Sequence, residues 1–125
     1  DPGGGGINVA RIAHVLGASV SAVFPAGGHT GHLLTRLVHD AGVPLQQIEI
    51  AESTRESFTI DERSTGKQYR FVLPGPRLKF TDQAQCLEKL RGAGTSAQFV
   101  VASGSLPPGV PPDWYQRVAD VCRSL

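Results

Sequence analysis

The sequence predicts an α/β fold: a helix-covered sheet of mostly parallel strands that carries a small antiparallel β-ribbon. Three observations predict it. A glycine-rich start leads into alternating helical and extended segments as far as Gly42. The stretch around Phe58 and Tyr69 alternates apolar and polar residues on either side of a turn, and Gln98 to Ala102 is a short, nearly continuous apolar run. Helix and strand in alternation is the rhythm of βαβ units. Alternation by twos marks a sheet with one wet face, and an unbroken apolar run marks a strand covered on both faces.

The elements follow in order. Asn8 to Leu16 reads as a helix, with Ile7, Ala10, Ile12 and Val15 as its apolar positions and Gly17 as its stop. Ser19 to Phe24 reads as a buried strand ended by Pro25-Ala26-Gly27-Gly28. Thr30 to Ala41 is the next helix, carrying Leu33, Leu34, Leu37 and Val38 at helical spacing and closed by Gly42. In this rhythm the first strand of the body lies upstream of Asp1. The chain therefore reads as a piece of something longer, with an unpaired sheet edge that leans on a partner. Gln47–Ala51, Ser57–Asp61 and Gln68–Leu73 read as three short strands, the last two joined by a hairpin turn at Ser64-Thr65-Gly66-Lys67. Pro74-Gly75-Pro76 breaks the chain. Thr81 caps a helix through Leu90 that turns Ala84, Leu87 and Leu90 inward. Gln98–Ala102 is expected as a central strand, delivering Ser103-Gly104-Ser105-Leu106-Pro107-Pro108-Gly109 at its carboxyl end. Asp113 to Leu125 is a last helix, which Trp114 and Tyr115 pack. Residues 1–45 and 76–125 thus form a partial α/β body, and residues 46–75 a β-ribbon.

Composition excludes several classes of function. The 125 residues allow one domain. Twelve Lys and Arg against eleven Asp and Glu give a net charge of +1, too balanced for a protein built to bind nucleic acid. No segment approaches the roughly 18 consecutive apolar residues of a membrane span. The start lacks the charged and apolar regions of a secretory signal. Cys86 and Cys122 cannot build a disulfide framework and read as reduced, structural thiols of a cytoplasmic protein. His29 and His32 lack a third partner for a metal, so no metal site is expected.

Two loops remain as candidate sites, in positions where open α/β sheets bind ligands. Gly3-Gly4-Gly5-Gly6-Ile7-Asn8 runs straight into a helix: glycines let a ligand touch the backbone, the helix start favours anionic or oxygen-rich groups, and the Asn8 amide both donates and accepts. The alternative is a flexible loop capped by Asn8. No Gly-Lys-Ser/Thr follows, so it is no P-loop. Ser103–Gly109 leaves room for a ligand beside a rigid pair of prolines, or is simply a tight turn. Arg55, between two strands, is either a forked anion contact or a solvated charge.

Taken together, Gly3–Arg11, Leu16-Gly17, Ala26-Gly27-Gly28-His29-Thr30-Gly31, Tyr69–Gly75 and Ser103–Gly109 resemble the PfkB, or ribokinase-like, family of sugar kinases over essentially the whole chain. Gly at position 5, where many members carry Lys, is most similar to the minor-type 6-phosphofructokinase branch. The resemblance implies a ribokinase-like, Rossmann-type three-layer body with an antiparallel β lid. It implies ATP- and Mg²⁺-dependent phosphorylation of a phosphosugar, fructose 6-phosphate first, with fructose 1-phosphate and tagatose 6-phosphate as alternatives. Gly4, Gly5, Gly6 and Asn8 would contact the sugar, Arg55 would hold its phosphate, and Ser105 would line the pocket. The lid would form a homodimer through Phe58, Ile60 and Phe71. The family's catalytic aspartate lies in a Gly-Ala-Gly-Asp signature that does not occur here, so the base and most ATP and Mg²⁺ contacts are expected elsewhere and the segment alone is expected to be inactive. A non-catalytic sugar-phosphate binding module is the rival of another class.

Overall fold

A computed structural model describes residues 2–125. The described elements run α1 (Gly5–Val15), β1 (Ala22–Ala26), α2 (Gly28–Asp40), β2 (Leu45–Glu49), β3 (Ser57–Glu62), β4 (Lys67–Val72), α3 (Phe80–Gly94) and α4 (Trp114–Arg123). β1 and β2 pair in parallel, Ala22 opposite Leu45 through Ala26 opposite Glu49, with α2 as the crossover between them.

Side chains on the two faces of this pair go into two separate clusters, as alternation along a strand requires. Ala22, Phe24 and Ala26 of β1 pack with Ile7 and Ala10 of α1, Val38 of α2 and Val43. On the other face Val23 joins Ile48, Ile50 and Leu78, with Cys86 of α3 against them. Helices therefore cover both faces, giving three layers. α4 lies against α3 and buries Val118 and Val121. β3 and β4 form the antiparallel ribbon, in which Phe58 opposes Phe71 and Ile60 opposes Tyr69. The two phenylalanine rings stack with centroids 5.0 Å apart. At the turn the Gly66 N–H donates to the Glu62 carbonyl at 2.9 Å.

Three expectations are corrected. Gln98–Ala102 joins no ladder among the described residues, and Phe99 is 88% exposed. An apolar run states what cover a segment needs, but a strand exists only where a neighbour offers hydrogen bonds, and no described strand pairs with this run. Second, residues 45–49 belong to the body sheet beside β1, not to the ribbon. Leu45 and Ile48 reach opposite faces there, which a short strand read in isolation does not reveal. Third, β1 starts later than expected and includes Pro25 and Ala26, which were read as its terminator. The Ala22 N–H donates to Pro44 on the β2 side, so by alternation the absent N–H of Pro25 would face away from β2. No pairing is lost there. The helix expected from Thr81 to Leu90 starts at Phe80, where Asp82 accepts from the Lys79 N–H at 2.9 Å, and runs to Gly94.

Candidate functional site

The carboxyl end of β1 passes through Gly27 into α2, and the carboxyl end of β2 runs into the segment that carries Thr54 and Arg55. These two exits are tied to each other. The Gly27 N–H donates to Thr54 Oγ1 at 3.0 Å, and the Thr54 N–H donates back to the Gly27 carbonyl at 3.0 Å. Beneath them Gln47 Nε2 donates to the Ala26 carbonyl at 3.2 Å, and the Thr35 hydroxyl donates to Gln47 Oε1 at 3.1 Å. A side chain at Gly27 would fall on the carbonyl oxygens of Ile50 and Glu52, so the close approach itself demands glycine. Thr54 is thereby fixed, and Arg55 projects from the next position, exposed. Among the described residues Arg55 makes no ion pair.

The glycine run meets the second loop. A Cβ at Gly5 would stand 2.6 Å from Ser103 Oγ, and one at Gly6 would stand 3.9 Å from the Ser103 carbonyl. The Tyr115 hydroxyl of α4 donates to the Gly104 carbonyl and anchors that loop from the other side. Gly4 caps α1, and its carbonyl accepts from the Asn8 N–H at 2.9 Å. No acidic residue occupies the first turn of α1, where the helix dipole is positive.

The segment that follows β4 closes the ring. Arg55 Cδ and Pro108 Cδ each lie 3.9 Å from the Cβ position of Gly75. The Arg77 N–H donates to Glu52 Oε2 at 2.5 Å, and the Leu78 N–H donates to the Pro108 carbonyl at 3.1 Å. Four loops distant in sequence thus converge: the glycine run, the Thr54–Arg55 segment, the post-ribbon segment and Ser103–Gly109.

Of the residues expected at a site, Gly5 and Gly6 lie against the loop that carries Ser105, and Arg55 reaches that loop's proline through Gly75. Gly4 stands at the mouth of α1. Asn8 and Ser105 are both exposed, and no described contact ties either of them to Arg55. Glu52, Thr54, Gln83 and Tyr115 build the site and were not expected there. Tyr115 reads from the sequence as helix packing, and nothing local marks Glu52, Thr54 or Gln83. Their roles arise from partners 11 to 27 positions away, which no local pattern carries. Among the described residues no cluster of three or more His, Cys, Asp or Glu could hold a metal ion. Away from the site, burial pushes the Cys86 thiol up to about 11, with Asp82 adding to the shift, so it stays neutral and unreactive.

A profile described as "pfkB family carbohydrate kinase" matches residues 1–125. The chain is 70% identical over 123 residues to the ATP-dependent 6-phosphofructokinase isozyme 2 of Mycobacterium tuberculosis, covering 98% of this chain and 36% of that protein. It is 46% identical over 110 residues to the Escherichia coli protein of the same name, covering 88% of this chain and 35% of that protein. The crystal structure of E. coli phosphofructokinase-2 in complex with fructose-6-phosphate superposes with a TM-score of 0.88 at 40% identity, over 99% of this chain and 41% of that one. A possible 1-phosphofructokinase of Thermotoga maritima superposes with a TM-score of 0.86 at 25% identity, over 95% of this chain and 38% of that one. The chain spans well under half the length of these relatives.

Proposed function

The chain belongs to the pfkB family of carbohydrate kinases and has its ribokinase-like α/β fold, and from that premise we propose that the longer protein containing it transfers the γ-phosphoryl group of ATP to fructose 6-phosphate, yielding fructose 1,6-bisphosphate and ADP. This segment supplies the sugar end of the site. One observation carries the assignment: an arginine with no ion pair among the described residues stands where the post-ribbon segment meets the loop packed on the glycine run.

The chemistry of each residue fits that role. The guanidinium fork of Arg55 matches two oxygens of the sugar phosphate. Gly4, Gly5 and Gly6 leave the backbone open to the ring, with the start of α1 behind them. The Asn8 amide donates to and accepts from hydroxyls, and Ser105 adds a hydroxyl from the facing loop. None of these six residues is a general base, and among the described residues no three His, Cys, Asp or Glu side chains group to hold a metal ion. We therefore assign the base, ATP and Mg²⁺, which neutralises phosphate charge during transfer, to the remainder of the longer protein. The names of the relatives support ATP as the donor. The ribbon is the lid over this pocket. Its exposed face of Phe58, Ile60, Tyr69 and Phe71, each about half accessible, is the surface through which two copies pair.

Turnover by the full-length protein on fructose 6-phosphate, fructose 1-phosphate and tagatose 6-phosphate tests the reading. Fructose 6-phosphate is expected to give the highest kcat/KM. A charge-assisted contact contributes about 1.5–3 kcal/mol, so Arg55→Ala is expected to raise KM for fructose 6-phosphate by roughly 10- to 150-fold. An unchanged KM removes Arg55 from the phosphate site. Binding without turnover on any of the three sugars identifies a binding module instead.

A further inference from the structure

Gln83 is the buried polar residue that this function leaves unexplained. It lies in the first turn of α3, 5% exposed, in a position where helix residues usually face water or present an apolar group. Its Nε2 donates to the Leu78 carbonyl at 3.1 Å and to the Gly109 carbonyl at 3.0 Å. Both partners are acceptors only, so the amide must face them with its nitrogen, and a carboxylate could not take its place. Its Oε1 is buried and has no hydrogen-bond partner among the described residues. The two carbonyls belong to different functional strands of chain. Leu78 ends the segment returning from the ribbon, and Gly109 ends the loop that carries Ser105.

These segments cross closely. The Leu78 N–H donates to Pro108, and a Cβ at Gly109, where φ is 86°, would stand 2.8 Å from the Leu78 carbonyl. A Cβ at Gly75, three residues before Leu78, would stand 3.9 Å from both Arg55 Cδ and Pro108 Cδ. The spacing between Arg55 and the Ser105 loop is therefore set by where the return segment lies on the 108–109 turn. Gln83 is the side chain that bridges the two.

We propose that Gln83 is a positioning residue for sugar-phosphate binding. Its amide clamps the return segment of the ribbon to the Ser105 loop, so that Arg55 and that loop are presented to one ligand at a fixed separation and respond to it as a unit. The proposal rests on the phosphosugar reading above, and its test separates the two. Hydrogen exchange is followed in the full-length protein with and without fructose 6-phosphate, beside steady-state kinetics, for wild type and Gln83→Met. In wild type, titrated sugar phosphate is expected to protect residues 74–79 and 103–110 with one common midpoint. In Gln83→Met, which keeps the volume and removes both donors, exchange of these two segments without ligand is expected to rise several-fold while the rest of α3 is unchanged. KM for fructose 6-phosphate rises about tenfold, and KM for ATP stays within twofold. A merely structural role would move ATP and sugar parameters together. Protection of residues 103–110 without residues 74–79 in wild type, or unchanged exchange of both segments in the variant, overturns the proposal, and the wild-type arm does so even where the variant fails to fold. Wild type that shows no protection and no turnover with fructose 6-phosphate refutes the phosphosugar reading, and the ligand-free exchange comparison still decides the clamp.

Discussion

Gly27→Ala is the most demanding single change that this site offers. The backbone at Gly27 is extended, with φ of −148°, so alanine suffers no torsional strain. The cost comes from space. The new methyl would fall on the carbonyl oxygens of Ile50 and Glu52, both backbone atoms that cannot rotate away. Overpacking of this kind costs about 1–3 kcal/mol. Moving the β2 exit to make room also breaks the paired hydrogen bonds between Gly27 and Thr54, each contributing about 1 kcal/mol. Together these give about 3–5 kcal/mol. Urea unfolding of the full-length protein reads it directly: with a slope of about 3 kcal/mol/M the midpoint falls by about 1–1.7 M. Gly5→Ala is the control. Its methyl meets the Ser103 hydroxyl at 2.6 Å, which rotates aside at a cost of about 1 kcal/mol. Equal losses for the two variants, or a Gly27→Ala loss below about 1 kcal/mol, would refute the reasoning that backbone crowding holds Thr54 and hence Arg55.

Two further outcomes are expected. The Cys86 thiol is held up at about 11 in the folded chain, above its ordinary value of 9.0. Its contribution to stability is therefore complete below pH 9 and is lost as pH rises from about 9 to 11, where the unfolded thiol ionises first. At pH 8 about one Cys86 in a thousand is thiolate, so iodoacetamide should label it far more slowly than an unfolded control, as mass spectrometry reports. Phe71→Asp places a charge on the exposed face of the ribbon beside the stacked Phe58 ring. Sedimentation velocity is expected to show full-length protein reduced to monomer, whereas an unchanged mass assigns the dimer contact elsewhere.

What could be read in advance depended on how far the deciding partner lies along the chain. Ile7 and Ala10 on α1 and Val38 on α2 are buried as their spacing implies, whereas Ile12, Val15 and Leu33 of the same patterns are exposed. The ribbon is equally plain, because Phe58 and Ile60 alternate toward Tyr69 and Phe71 across a turn that needs glycine at position 66. Gln47–Ala51 reads as part of the ribbon because nothing local distinguishes a short parallel strand from a hairpin strand; only the pairing of Leu45–Glu49 with β1 does. Gln98–Ala102 went the other way, since its composition asks for two covered faces while Phe99 has neither. In the site, the glycine run stands out by composition, but a sugar-binding use for it and for Arg55 comes from the family resemblance alone, and the Gly27–Thr54 and Gln83 contacts are tertiary throughout.

The placing of the ribbon's two roots ties its apolar face to the pocket. Arg55 stands two residues before β3, and Gly75 to Leu78 follow β4, so the ribbon enters and leaves through the site itself. At the entry root, Thr54 is held by Gly27; at the exit root, Leu78 is held by Pro108 and Gln83. A two-stranded ribbon is marginal without a further surface, and here its apolar side chains are about half accessible. Any contact that orders that face restricts both roots at once, and with them Arg55 and the neighbour of Pro108. Binding free energies are reciprocal, so whatever factor the partner surface lends to sugar-phosphate affinity, the sugar phosphate returns to the partner contact. For two copies that each bind one sugar phosphate, dissociation of the ribbon contact at saturating fructose 6-phosphate must then shift by the square of the factor by which the sugar's affinity differs with and without the partner.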